Sequence, residues 1–207
     1  MATDILFNGP ADAVTTICLA HGAGAAMDSA FMQAFAEGLA MRGFQVARFE
    51  FPYMVERRQT GIKKPPNRAP VLLEAWHAVI TELGSENLII GGKSMGGRMA
   101  SLVADEAGVK GLICLGYPFH APGKPPGPMR LDHLENLTTP TLICQGTRDT
   151  LGSTEDVAGY RLSPAIQLHW LEDGDHGLKP RVKSGRTEAH NWTEAMDTMA
   201  DFANVLG

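Results

Sequence analysis

A serine among small residues is the first group in this 207-residue chain whose surroundings could support chemistry. Ser94 lies in the segment 92–96, GKSMG, which has the pattern G-x-S-x-G, and the apolar run 88–90 precedes it. A serine on a tight turn between a strand and a helix has strained backbone geometry, so its neighbours must be small, and the turn exposes its hydroxyl. Ser94 is therefore a candidate nucleophile.

An activated serine also needs a histidine as base and a carboxylate that orients the histidine. Asp149 follows the apolar run 141–145 and His176 follows the apolar run 165–171, so the order along the chain is Ser, Asp, His. This is one of the orders in which the three groups recur. We expect His176 to take the Ser94 proton and return it to the leaving group, while Asp149 fixes the histidine tautomer.

Other histidines and acids fit these roles less well. Apart from one at position 21, the remaining histidines lie within predicted helices or strands, begin the last helix or flank a proline-rich loop: His77, His120, His133, His169 and His190. Asp173 and Asp175 are too close to His176 in sequence to be the first choice of acid. Two further acids, Asp132 and Asp156, do not follow a strand.

A second strand end could bind the negative charge that develops on an attacked carbonyl oxygen. The apolar run 15–20 ends in HGAGA, residues 21–25, where small side chains allow close approach of the backbone. A helix that begins at Met95 leaves its first N–H groups unpaired and presents its positive dipole end. We therefore predict an oxyanion hole formed by the backbone of Met95, Ala23 and Gly24.

Six apolar runs alternate with helix-like patterns, which is typical of a parallel sheet covered by helices on both faces. The runs are 15–20, 44–51, 87–90, 111–115, 141–145 and 165–171, and the main predicted helices are 29–42, 71–83, 95–107 and 188–206. Loops at the carboxyl ends of parallel strands gather at one edge of a sheet, so the candidate residues should meet there. We expect one domain, residues 1–207, with a mostly parallel sheet of about six strands.

The segment 52–70 is predicted to be an irregular basic loop, because the prolines at 65–66 disfavour a helix. Its charged residues are Arg57, Arg58, Lys63, Lys64 and Arg68, against the single acid Glu56. Either this loop is a rim that attracts an anionic substrate or partner, or its charges are merely solvated. Arg57 and Arg58 are the candidate substrate contacts from this segment.

A second loop follows the run 111–115 and contains Tyr117 and the stretch APGKPPGP. It is too short to form a large lid, so we expect a minimal lid or none. Tyr117 and His21, which both follow apolar runs, are the remaining candidate substrate contacts.

Composition excludes several classes of function. A net charge of −5 disfavours binding to nucleic acid, which depends on clustered cations. There is no apolar stretch long enough to span a membrane and no secretory signal pattern at the N-terminus, so we predict a cytoplasmic protein. The three cysteines lack the spacing of a zinc site or a disulfide framework. We expect no metal and no cofactor, while monomer and homodimer remain open.

Taken together, the motifs resemble the α/β-hydrolase superfamily. HGAGA, FEFPYM, the basic proline loop, GGKSMGGRMAS, GTRDTLG and GDH are similar, over nearly the whole chain, to small bacterial hydrolases whose eukaryotic relatives include scaffold-like proteins. Dienelactone hydrolases are similar too, although they carry cysteine where this chain has Ser94. The resemblance implies the α/β-hydrolase fold and catalytic roles for Ser94, Asp149 and His176.

These observations predict a serine hydrolase that cleaves an ester or related acyl bond of a small-molecule substrate, with carboxylesterase as the first choice. A thioesterase or peptidase would use the same three residues. The alternative from another class is a binding module that keeps the fold without catalysis.

Overall fold

The computed structural model describes residues 4–121, 123 and 128–207 and contains one seven-stranded sheet. Its strands are β1 (Ile5–Asn8), β2 (Thr16–Ala20), β3 (Gln45–Phe49), β4 (Leu88–Lys93), β5 (Gly111–Leu115), β6 (Thr141–Gly146) and β7 (Ile166–Leu171). The spatial order is β1-β3-β2-β4-β5-β6-β7, in which β1 pairs antiparallel with β3 and every other pair is parallel. The expected mostly parallel sheet is confirmed.

Helices connect the strands and cover both faces of the sheet. They are α1 (Ala30–Ala40), α2 (Pro52–Thr60), α3 (Ala69–Leu83), α4 (Met95–Ser101), α5 (Ala104–Ala107), α6 (Pro128–Glu135), α7 (Thr154–Val157) and α8 (Glu188–Leu206), with a 3₁₀ turn at Val182–Ser184. α1 and α8 pack against each other on one face, and α2, α3 and α4 form a continuous layer on the other.

Alternate residues of the central strands enter two separate apolar clusters. In β4, Ile89 packs with the α1 and α8 side, whereas Leu88 and Ile90 pack with the α3 side, and all three are buried. A strand buried on both faces must be apolar at nearly every position, which explains the unbroken apolar runs in the sequence. Trp76 of α3 is fully buried, and its ring lies edge-on to the ring of Phe49, with 4.8 Å between the ring centroids.

Two predictions about this part of the chain are corrected by the structure. The sheet has a seventh strand, β1, at its edge. Residues 52–60 form helix α2 instead of an irregular loop, because Pro52 occupies the first turn, where a missing N–H costs nothing. Gly61 caps the C-terminus of α2 with a φ of 73°, in the left-handed region that favours glycine. The prolines at 65–66 lie beyond this cap and do not interrupt the helix.

The helix expected over 95–107 is divided, since α4 ends at Ser101 and α5 begins at Ala104. Between β5 and β6 the described residues hold only helix α6, so no large lid is inserted there. Part of the proline-rich stretch, residues 122 and 124–127, lies outside the described residues. No helix in the described ranges is both long and apolar enough to cross a bilayer.

Candidate active site

Ser94 lies on a sharp turn between β4 and α4. Its φ of 51° and ψ of −115° are unusual for a residue with a side chain, as expected of a strained strand-to-helix turn. The turn packs tightly on the end of β2, where a Cβ on Gly96 would lie 2.4 Å from the carbonyl oxygen of Ala20. Only glycine fits that contact, which explains the glycine two positions after the serine.

The structure brings Ser94, His176 and Asp149 together in one hydrogen-bonded series. His176 Nε2 lies 2.9 Å from Ser94 Oγ, and His176 Nδ1 lies 2.8 Å from Asp149 Oδ2. The three residues follow β4, β7 and β6, respectively, at the same edge of the sheet. The side chain of His176 is 31% exposed, so a substrate can reach this edge from solvent.

The carboxylate of Asp149 is fully buried and well supplied with donors. Oδ1 accepts from the N–H of Leu151 at 2.8 Å, and Oδ2 accepts from Gln145 Nε2 at 2.9 Å as well as facing the histidine. A carboxylate accepts hydrogen bonds, so the network assigns the proton to Nδ1 of His176. Nε2 then presents a lone pair to the Ser94 hydroxyl.

In the loop after β2, the orientation of the backbone makes two N–H groups candidate donors to an oxyanion. His21 Nδ1 donates to the carbonyl oxygen of Gly22 at 2.7 Å, and the Tyr53 hydroxyl donates to that of Ala23 at 3.1 Å. The C=O and N–H of a trans peptide point in opposite directions, so the N–H groups of Ala23 and Gly24 point away from these two rings. Gly22 lies against the nucleophile turn, since a Cβ there would be 3.7 Å from Ser94 Cβ.

The family follows from a comparison with known proteins. A family profile described as an alpha/beta hydrolase domain matches residues 13–204. The chain belongs to the alpha/beta hydrolase family. This assignment confirms the superfamily to which the motifs pointed, and it is consistent with the order of strands and helices in the structure.

Solved structures share this fold at low sequence identity. The esterase domain of a Rhodothermus marinus protein matches with 17% identity, 100% coverage of both chains and a TM-score of 0.68. A serine hydrolase without a lid from Xanthomonas campestris matches with 17% identity, covering 93% of this chain and 86% of its own, at a TM-score of 0.68. Est1E from Butyrivibrio proteoclasticus matches with 14% identity, covering 97% and 94%, at a TM-score of 0.68.

His21 does not face a substrate, which corrects the expected contact. Its side chain is fully buried, Nε2 accepts from the N–H of Phe51 at 3.1 Å, and Nδ1 is committed to Gly22. Burial lowers the pKa of His21, in keeping with a neutral ring that accepts one hydrogen bond and donates one. His21 therefore holds the loop after β2 in shape.

Tyr117 is also fully buried, so the expected contact with substrate is corrected for this residue too. Its hydroxyl lies 3.4 Å from both Ser101 Oγ and His133 Nε2, behind α4. Burial, reinforced by the charge of Arg98, lowers the pKa of His133 to about 4. Ser101 Oγ and His133 Nε2 also lie 2.9 Å apart, but Ser101 is only 2% exposed, so this contact between a serine and a histidine is buried on the serine side.

Two of the five cations of the expected basic rim, Arg58 and Lys64, form ion pairs. Arg58 binds Glu50 through Nε and Nη2 at 3.0 and 2.6 Å and binds Asp28 through Nη1 at 3.0 Å, and these bonds raise its pKa. Lys64 pairs with Glu56. Arg57, by contrast, has no ion pair within the described residues and lines a cleft of about 350 Å³ together with residues 24–26 of the loop after β2.

Two residues that sequence reasoning missed support the site. Gln145, fully buried at the end of β6, donates to Asp149 and accepts from the N–H of Tyr117 at 2.7 Å. Lys93, which precedes Ser94, donates from Nζ to the carbonyl oxygen of His176 at 2.5 Å. A polar residue at the end of an apolar strand was the only signal for either.

In the described part of the chain, no group of three or more His, Cys, Asp or Glu side chains is arranged to hold a metal ion. Cys18, Cys114 and Cys144 are free and buried, and burial raises the pKa of each thiol. These thiols are therefore poor nucleophiles, and Ser94 is the nucleophile candidate at the sheet edge.

Proposed function

We propose that this protein is a serine hydrolase that cleaves an ester or related acyl bond of a small-molecule substrate, with carboxylesterase as the first choice. The observation that carries the proposal is the hydrogen-bonded series from Asp149 through His176 to Ser94, at 2.8 and 2.9 Å. A scaffold has no physical need for that alignment at a solvent-accessible edge.

The reaction would proceed through an acyl-enzyme. Ser94 Oγ attacks the acyl carbon while His176 Nε2 takes its proton, and the histidine then gives that proton to the departing alcohol. Water attacks the acyl-enzyme with His176 again as base, and release of the acid restores the Ser94 hydroxyl. Asp149 holds the imidazole and stabilises its protonated form during both steps.

The developing oxyanion would be bound by backbone N–H groups. As the first residue of α4, Met95 has no partner in its own helix for its N–H group. The N–H groups of Ala23 and Gly24 point away from the buried rings beneath their loop, and each such donor contributes on the order of 3 kcal/mol. The free buried thiols also suit the cytoplasmic location that we expect.

Hydrolysis of a panel of activated esters and thioesters tests this proposal. We expect Ser94→Ala to reduce turnover by about 10⁴-fold or more with its fold retained. Ser101→Ala is the matched control, because Ser101 also lies within hydrogen-bond distance of a histidine, at 2.9 Å, but is buried. Equal turnover by wild type and Ser94→Ala would contradict the proposal and favour a non-catalytic binding module.

The panel also separates neighbouring activities. Faster turnover of matched thioesters than of oxygen esters would replace carboxylesterase by thioesterase, and turnover of anilides alone would indicate a peptidase. The catalytic residues would be the same in each case.

Arg57 is the proposed contact for an anionic group on the substrate. Arg57 lines the cleft together with Gly24 and Ala25, whereas Arg58, which lines the same cleft, is bound to the carboxylates of Glu50 and Asp28. Arg57→Gln should slow hydrolysis of esters that carry a carboxylate and leave neutral esters unchanged, with exposed Lys63→Gln as the control. Equal effects on both kinds of ester would remove this contact.

A further inference from the structure

Lys93 connects the nucleophile turn to the loop that carries His176. It is the last residue of β4, immediately before Ser94, and its Nζ donates to the backbone oxygen of His176 at 2.5 Å. Two contacts therefore join the same pair of loops, one between side chains and one between an ammonium and a carbonyl.

The path of this side chain is enclosed by other loops at the same edge. A Cβ on Gly22 would lie 3.5 Å from Lys93 Cγ, and a Cβ on Gly116 would lie 2.7 Å from Lys93 Nζ. Gly116, with a φ of 64°, follows β5, so the ends of β2, β4, β5 and β7 all meet around this one side chain. The Phe31 ring of α1 completes the enclosure, with its centroid 5.7 Å from Nζ.

Charged groups around the ammonium are carboxylates. Asp149, from the loop after β6, and Asp175, from the loop after β7, both favour the protonated amine. Burial opposes them and has the larger effect, so the pKa of Lys93 falls to about 8. The amine is charged at neutral pH and loses its proton in mildly alkaline solution.

We propose that Lys93 is a positioning residue for the reaction described above: its ammonium holds the His176 backbone at the distance from Ser94 that proton transfer requires. The role rests on the proposed function of Ser94 and His176 and adds to it a group outside the catalytic series. Misplacement of a reacting group by about 1 Å can cost about 100-fold in rate, so a single backbone tether is enough to matter.

The lowered pKa of Lys93 predicts that the rate of the Ser94 reaction depends on pH. Below about pH 8 the tether is a hydrogen bond from a charged donor. Above that pH the neutral amine donates a weaker bond, because charge-assisted hydrogen bonds are roughly twice as strong as neutral ones. The reaction of Ser94 should therefore slow as the pH rises through about 8.

The test is the rate at which a neutral fluorophosphonate labels Ser94, followed by intact mass from about pH 6 to about pH 10. Lys93→Met keeps the side-chain length and removes the donor. Trp192→Phe is the matched control, because Trp192 Nε1 donates at 3.1 Å to Gly177 O, the next carbonyl of the same loop, without charge. Thermal unfolding of each variant checks its fold.

We expect Lys93→Met to label about 10- to 100-fold more slowly at pH 7 and to lack the alkaline decline, while Trp192→Phe keeps both the rate and the decline. A Lys93→Met labelling rate equal to that of wild type at pH 7 would overturn the role. So would equal losses in Lys93→Met and Trp192→Phe, which would make Lys93 one loop brace among others. Failure of wild type to label at all would instead contradict the proposed function.

Discussion

At the scale of single residues, the orientation of Asp149 depends on Gln145 as much as on His176. Gln145 Nε2 donates to Asp149 Oδ2 and to the carbonyl oxygen of Gly152, at 2.9 and 3.0 Å, and its Oε1 accepts from Tyr117. All of these groups are buried, so no water can replace a lost partner easily. Gln145 therefore fixes both the acid and the start of the loop after β5.

Gln145→Leu should impair stability and activity together. The change removes one partner from the Asp149 carboxylate, from the Gly152 carbonyl oxygen and from the Tyr117 N–H, which should cost about 1–3 kcal/mol in the free energy of unfolding. Looser orientation of Asp149 should reduce ester turnover by about 10-fold. Urea unfolding and steady-state kinetics measure the two effects. Gln167→Leu, at an exposed position of β7, is the control, and equal behaviour of the two variants would be inconsistent with this account.

At the scale of elements, the loop after β7 is closed by an ion pair. Asp173, whose φ is 51°, accepts from the backbone N–H of Arg181 at 2.7 Å and from its guanidinium, and Arg148 lies 3.0 Å from the same carboxylate. Hydrogen bonds from Arg181 lower the pKa of Asp173 well below its usual range. The segment between these residues contains His176, so the pair holds together the two ends of the loop that carries His176.

This ion pair predicts a pH-dependent stability. A carboxylate whose pKa is lower in the folded state stabilises the fold above its unfolded pKa of about 3.9 and loses that effect as the pH falls towards the folded value. Asp173→Asn should therefore lower the melting temperature at pH 7, and the difference from wild type should shrink below about pH 4. Calorimetry across this range is the measurement. A constant difference, or the same trend in the exposed control Asp201→Asn, would exclude the ion pair as the cause.

At the scale of the whole molecule, both apolar clusters pack on one sheet. Phe35 of α1 is fully buried on one face, and Trp76 of α3 is fully buried on the other. The strands between them contribute alternate side chains to each cluster, so neither cluster can persist without the sheet. We propose on this basis that residues 1–207 unfold as a single domain.

Removal of a large side chain from either face should then shift a single unfolding transition of the whole protein. Phe35→Ala and Trp76→Ala should each lower the free energy of unfolding by about 3–5 kcal/mol, since each deletes a large buried ring. Urea unfolding monitored by far-UV circular dichroism should show one transition for every protein. Two transitions, of which each variant shifts only one, would show that the faces unfold separately.

The fold and the meeting of Ser94, Asp149 and His176 could be predicted because both depend on local patterns. Buried parallel strands are apolar throughout, and the loops that follow them reach one edge whatever the details of packing. β1 is not evident from the sequence because it is a short edge strand with exposed Leu6 and Phe7. α2 is not evident because the prolines at 65–66, which disfavour a helix, lie in the same segment but beyond the end of the helix.

The supporting residues could not be predicted because their roles depend on long-range contacts. Nothing in the order of residues shows that Lys93 reaches a carbonyl 83 positions away. Spacing also gives no direction for the side chains of His21 and Tyr117, which are fully buried although both residues follow strands at the edge that holds Ser94. A count of charges within the basic segment likewise does not show that, in the part of the chain that the structure describes, Arg58 forms ion pairs and Arg57 does not, because the partners of Arg58, Glu50 and Asp28, lie outside that segment.

The assignment of Ser94 as an activated nucleophile is tested most directly by locating a fluorophosphonate adduct with peptide mass spectrometry. We expect a single adduct on the peptide that contains Ser94, abolished in Ser94→Ala and strongly reduced in His176→Ala. An adduct on another serine, or none on folded wild-type protein, would contradict the assignment of Ser94 as an activated nucleophile.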